Sequence, residues 1–254
     1  MGFTTNNSLT RQAAAKSATP ILGDSQDNLL NGTPNDEVVL GGVGNDTIAG
    51  RGGDDQIDGQ DGVDVASYRS TQIGPLGVGV TVNLANFTAS GLGIGTDQLF
   101  HIENIIGSAF NDVIRGDAGA NGFRGGLGAD TLNGGAGHDR LSGGPGADSF
   151  IFNSGSGTAL KANSDHISDF TSGEDHILLG RSLAGPFATI AFGILNDGAF
   201  HVGSEATSAQ QRILYDSVTG KLSYDSDGTG AALAVSFAVL DHAPVITAAD
   251  LLVF

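Results

Sequence analysis

Ten acidic or amide side chains recur in this 254-residue chain at a spacing suited to hard-cation chemistry. The first series is Asp27, Asp36, Asp46, Asp55 and Asp64, and the second is Asp112, Asn121, Asp130, Asp139 and Asp148. Every step is nine residues except one of ten, between Asp36 and Asp46. Carboxylates on neighbouring strands about 4.8 Å apart repel by about 3 to 4 kcal/mol at an effective dielectric of 20, so a compact array requires a cation between its rungs. Aspartate oxygens joined by turn carbonyls make an all-oxygen cage, which favours Ca2+ over zinc or copper and suits magnesium less, because magnesium holds its water tightly.

The elements that must position these oxygens follow from the residues between them. Residues 41–49 read GGVGNDTIA, 125–133 GGLGADTLN, 134–142 GGAGHDRLS and 143–151 GGPGADSFI, a nonamer G-G-x-G-x-D-x-U-x with U large and apolar. The glycines supply a tight turn and leave room for a ligand beside the backbone. The remaining x-U-x is a very short strand whose U side chain points to one face. Expected core positions are Leu29, Val38, Ile48, Ile57 and Ala66, then Ile114, Phe123, Leu132, Leu141 and Phe150. A nine-residue turn plus strand closes by coiling, two units per coil, so units n and n+2 stack.

These nonapeptides resemble the hemolysin-type, or RTX, calcium-binding repeats. The resemblance implies an all-β fold, a parallel β-roll (a right-handed β-helix-like solenoid) in two RTX blocks with a C-terminal β cap. It also implies cation sites between Asp27 and Asp46, Asp36 and Asp55, Asp46 and Asp64, Asp112 and Asp130, Asn121 and Asp139, and Asp130 and Asp148. Turn carbonyls near Gly42, Gly44, Gly126, Gly128, Gly135 and Gly137 would complete the shells. The neutral Asn121 weakens its site, Pro34 and an additional residue before Gly41 place the Asp36 site in a bulge or wider turn, and Ser25 and Gln26 mark residues 22–30 as a capping coil.

The expected organisation is a flexible tail over 1–20, a first roll block over 21–68, irregular connecting coils over 69–106 and a second block over 107–152. A post-roll motif over 153–189 and a C-terminal β cap over 190–254 complete it. Within the connecting segment, Val80, Val82, Leu84, Leu99, Ile102 and Ile105 alternate as in strands of longer coils. Residues 165–179, DHISDFTSGEDHILL, resemble a motif that follows the roll in serralysin-type proteins. Its Asp165, Asp169 and Asp175 are either a further calcium site or turn-forming carboxylates around Ile167, Phe170 and Ile177. Asp225 and Asp227 open like an EF-hand loop but lack its downstream glutamate, so they are read as a turn. The ending Asp250, Leu251, Leu252, Val253, Phe254 resembles the uncleaved secretion signal read by a type I exporter, an export partner that fits the lack of a Sec-type leader in the first twenty residues.

Composition narrows the function. Glycine accounts for 41 residues, and the formal charge of -17 repels nucleic acid. With no cysteine, neither disulfides nor thiolate metal sites are available. His101, His138, His166, His176, His201 and His242 form no H-E-x-x-H pair, and no G-x-S-x-G elbow or G-K-[ST] loop occurs. The expectation is a non-enzymatic, secreted calcium-binding protein that folds on meeting calcium outside the cell. The alternatives are a membrane-active effector of pore-forming or nodulation type, or a module that binds a cell-surface or polysaccharide target.

Overall fold

A computed structural model of the chain describes residues 19–69, 78–153, 164–181, 187 and 189–254. The expected tail therefore lies almost wholly outside the described residues, as do parts of the connecting and post-roll segments.

Two sheets, one of twelve strands and one of eleven, face each other across a single row of apolar side chains. Consecutive nonamers alternate between the sheets, so a strand pairs in parallel with the strand two units on: Val113–Arg115 with Thr131–Asn133, and Gly122–Arg124 with Arg140–Ser142. Only the U residue of each three-residue strand points inward. Ile48, Ile57, Ile114, Leu132 and Phe150 are all at most 1% exposed. Each short repeat strand thus gives the core one large apolar side chain, and the cross-coil hydrogen bonds supply the rest of the order.

The first two units differ from the sequence reading. Leu30 pairs with Ile48 and Val39 with Ile57, so the inward residues are Leu30 and Val39, and Leu29 is 72% exposed. The repeat has no additional residue: the first-position glycines Gly23, Gly32, Gly41, Gly50 and Gly59 are evenly spaced by nine, and Pro34 occupies the variable third position. A slip of one residue exchanges the two faces of a strand. Val39→Asn is therefore expected to destabilise the calcium-loaded protein by roughly 2–4 kcal/mol, as a polar group placed in a core does, with Val38→Asn within about 0.5 kcal/mol of the parent. Chemical denaturation of the two variants measures this, and equal losses would restore the slipped register.

The connecting segment is also more regular than irregular coils. In the eleven-stranded sheet Val65–Ser67 pairs directly with Asn104–Ile106, so this wall crosses the interruption without a break. In the other sheet an antiparallel meander, Thr81–Asn83, Thr88–Gly91 and Gly95–Phe100, is inserted between Gln56–Asp61 and Val113–Arg115. The two repeat blocks thus share continuous sheets. The C-terminal region extends both: Val235–Leu240 adds to Asp165–Ile167, and Leu251–Val253 adds to His176–Leu179. Phe152, Phe187 and Phe237 close the core here with edge-to-face ring contacts. Leu251 and Val253 of the terminal segment are buried strand residues.

Candidate metal centre

Each sixth-position carboxylate uses its two oxygens differently. One, Oδ1, accepts the backbone N–H of the residue at the same position one coil earlier. Along the twelve-stranded sheet Asp112 N donates to Asp130 and Asp130 N to Asp148, each at 2.8 Å, and Asp148 N donates to Asp175 at 2.9 Å. Along the other sheet Asp46 N donates to Asp64 at 2.7 Å, Asn121 N to Asp139 at 2.8 Å and Asp139 N to Asp165 at 3.1 Å. The second oxygen, Oδ2, of Asp46, Asp64, Asp130, Asp139 and Asp148 is buried and has no hydrogen-bond partner.

A buried polar atom without a partner is costly, and five at equivalent places are a recurring vacancy in the bonding pattern. Each of these oxygens lies over the first glycine of its own repeat. A Cβ on Gly125 would stand 2.2 Å from Asp130 Oδ2 and 2.7 Å from the carbonyl oxygen of Gly143, and one on Gly41 would stand 2.4 Å from Asp46 Oδ2 and 2.5 Å from Gly59 O. Glycine therefore keeps open a space edged by one carboxylate and one carbonyl oxygen. Among the described residues no three His, Asp or Glu side chains gather. A metal here must draw on backbone carbonyls, which is an oxygen donor set of the kind calcium takes. The residues present fit the ion.

Of the six glycines expected to lend carbonyls, Gly44, Gly126, Gly128, Gly135 and Gly137 lie between strands and Gly42 near the end of the strand Val38–Val43, all with φ between +97° and +126°. At Gly126 an added Cβ would also come within 2.1 Å of Ser108 O in the preceding coil. There glycine is required twice, by torsion and by space.

Burial makes these acids reluctant to ionise. It is the main cause that pushes Asp130 and Asp165 up to about 7 and Asp139 and Asp148 up to about 6, with neighbouring carboxylates adding to the rise. Asp64, Asp112 and Asp175 are raised for the same reason.

Asp27 and Asp36 do not stand on these ladders. The register puts Asn28 and Glu37 at the sixth positions, while Asp27 and Asp36 occupy the exposed fifth, where they accept Asn45 N and Asp54 N at 2.8 Å. Glu37 turns its carboxylate onto Thr33, in its own turn. Counting from the first-position glycines identifies both residues. Asp55 holds its expected rung and accepts Glu37 N at 2.8 Å.

Two rungs were missed. Asp97 accepts Asp55 N at 3.1 Å, and Glu103 accepts Asp64 N at 2.8 Å. Asp97 lies in a degenerate nonamer, LGIGTDQLF over 92–100, with Gly93 and Gly95 at the second and fourth turn positions, whereas Glu103 is marked only as an acid two residues before the apolar core residue Ile105, with no turn glycines before it. Asp97 Oδ2 also takes the Tyr68 hydroxyl at 3.3 Å.

The post-roll acids divide. Asp165 and Asp175 continue the two ladders, and Thr171 N donates to Asp175 at 2.8 Å. Asp169 is engaged by Ser142 Oγ at 2.6 Å and by Gly143 N and Gly144 N at 3.0 Å, the pattern of a capping carboxylate. Asp225 accepts Asp227 N and Gly228 N, and Asp227 accepts Ala232 N, bonds that build a turn.

A stack of glycine-turned coils with a carboxylate ladder along each wall defines a parallel β-roll. Residues 31–66, 101–132 and 124–159 match the family model of the RTX calcium-binding nonapeptide repeat, and the chain carries these calcium-binding repeats. No curated protein matches the chain. Among solved structures, the AlgE6R3 subunit of the Azotobacter vinelandii mannuronan C5-epimerase aligns at 21% identity over 93% of this chain and 83% of its own, with a TM-score of 0.28. The AlgE6R2 subunit of the same enzyme aligns at 21% identity over 94% and 96%, with a TM-score of 0.25.

Proposed function

We propose that the protein is an extracellular, non-enzymatic calcium-binding protein whose roll folds when it meets calcium after export by a type I secretion system. The supporting observation is the set of five partnerless Oδ2 atoms on Asp46, Asp64, Asp130, Asp139 and Asp148. In this reading those oxygens and the turn carbonyls hold the ions, Asp112, whose Oδ2 already accepts Ser108 N at 2.5 Å, adds its charge beside Asp130, Asn121 contributes a neutral ligand, and Asp165 and Asp175 close the ladders. Bound calcium neutralises the buried carboxylates and ties successive coils together. The chain supplies the preset turns and the Oδ1 hydrogen bonds. Residues 250–254 are the segment an exporter would read before folding draws them into the sheet. Among the described residues no helix is long and apolar enough to cross a membrane.

A calcium titration followed by far-UV circular dichroism, with magnesium as control, tests the reading. Extracellular calcium modules work at roughly 10⁻⁴–10⁻³ M, so the β spectrum is expected to emerge in that range and to stay absent with magnesium alone. A roll fully folded in chelator, or one assembled equally well by magnesium, would overturn it.

A further inference from the structure

The outer face of the eleven-stranded sheet carries an unusual concentration of positive charge for so acidic a chain. Arg124 stands on Gly122–Arg124, Arg140 on the adjoining strand Arg140–Ser142, and Arg69 follows Val65–Ser67. All three are exposed. Ion pairs among the described residues join only His101 to Asp58 and His166 to Asp241, so none of these guanidinia is neutralised by a carboxylate. In a chain with 28 acids and 11 lysines and arginines, three of those eleven gather on this one face.

The face is also shaped. A groove of about 390 Å³ runs across the strands past Asn104, Gly122, Arg124, Arg140, Ser142 and Ser168, and a neighbouring depression of about 380 Å³ shares Arg124 and reaches Arg69. Gly122 leaves a notch beside Arg140, its cross-strand partner, and a Cβ there would meet Asn104 Oδ1 at 2.4 Å. The acid lining the groove, Asp241, lies at its far end, 3.2 Å from His166 Nδ1.

We infer that this groove is a binding site for a carboxylate-bearing polysaccharide, a polyuronate chain lying across the strands. The guanidinium fork matches a planar carboxylate in paired hydrogen bonds. Asn104, Ser142 and Ser168 offer amide and hydroxyl groups of the kind that meet sugar hydroxyls. An extended chain crossing strands about 4.8 Å apart presents successive sugars to successive rungs. The remaining surface, strongly negative, repels the same polymer and so confines it to this face. The inference rests on the calcium-loaded roll proposed above, because only the stacked coils bring Arg69, Arg124 and Arg140 onto one face.

The test is isothermal titration calorimetry of the full chain in calcium with a hexagalacturonate, a neutral maltohexaose and a sulfated dextran oligomer. Hexagalacturonate is expected to bind, with affinity falling as salt rises, and maltohexaose is not. Loss of two charge-assisted contacts in the double variant R124Q/R140Q should weaken binding roughly tenfold or more, while R115Q, on the outer face of the other sheet, leaves it within about twofold. Unchanged binding by R124Q/R140Q, no binding of hexagalacturonate, or tighter binding of the sulfated oligomer would overturn the assignment. Circular dichroism of the same samples shows whether the roll is folded, which separates failure of the groove from failure of the calcium reading.

Discussion

Asp130→Asn is expected to change the sign of its effect with calcium. In millimolar calcium the variant should be less stable than the parent by about 1–3 kcal/mol, the usual loss when a hydrogen bond to a charged group or an ionic ligand is weakened, and its calcium midpoint should rise about tenfold. In chelator at pH 8 it should be the more stable of the two. The reason lies in the division of labour between the oxygens. An asparagine Oδ1 still accepts Asp112 N, so the coil-to-coil hydrogen bond survives. What disappears is the buried charge at Oδ2, which has no partner in the protein and lies between the rungs of Asp112 and Asp148. Without the ion that charge is a liability, and with the ion it is a ligand. Denaturation curves taken over a calcium series and extrapolated to zero calcium decide the matter, since in the proposed reading the free roll does not stay folded in chelator: a variant less stable than the parent at both ends of the series would mean that Oδ2 is satisfied within the protein.

The second large effect is on pH, and it too reverses with calcium. Burial raises Asp130 and Asp165 to about 7 and Asp139 and Asp148 to about 6 in the folded chain, against an ordinary carboxylate value of about 3.9 when unfolded. Between roughly pH 4 and 7 the folded chain therefore binds more protons than the unfolded one, and stability falls as pH rises. The contribution is complete below the unfolded value and lost through pH 6 to 7. In chelator the roll should be markedly more stable at pH 5 than at pH 8. In calcium the order reverses, because protons compete with the ion for the same oxygens. Asp250 limits the gain at the acid end. Burial alone would raise it, but the hydrogen bonds from Thr247, Gly173 and Ser172 hold it below the ordinary range, so its stabilisation is lost in strong acid. Thermal melts across pH 4.5–8, taken over a calcium series and extrapolated to zero calcium, measure both slopes. A chelated protein that gains stability as pH rises would refute the burial argument.

Much of the architecture is legible in the sequence because a nine-residue unit has few ways to bury its one large apolar side chain. The turn glycines, the inward row from Ile48 to Phe150 and the rungs from Asp46 to Asp148 follow from spacing alone. The first two units were misplaced because Asp27 and Asp36 imitate the sixth-position acid one residue early, and a strand of three residues has too little alternation to betray the slip. Asp97 was legible, because Gly93, Gly95, Asp97 and Leu99 repeat the second, fourth, sixth and eighth positions of the nonamer, whereas Glu103 has no turn glycines before it and its rung exists only where the strand from Asn104 is laid against a coil about forty residues earlier.

Periodicity, then, determined by itself that the chain coils, which side chains face inward and that oxygen ligands line the edges, because these depend on torsions and polarity within nine residues. The register of the first coils could be counted from their evenly spaced glycines, whereas tertiary structure alone decided the antiparallel insertion in one wall, the loss of a partner at five of the Oδ2 atoms and the gathering of three arginines on one face. Those features depend on which distant strands lie side by side, and hydrogen bonding between coils, unlike the repeat itself, acts across gaps that no local pattern encodes.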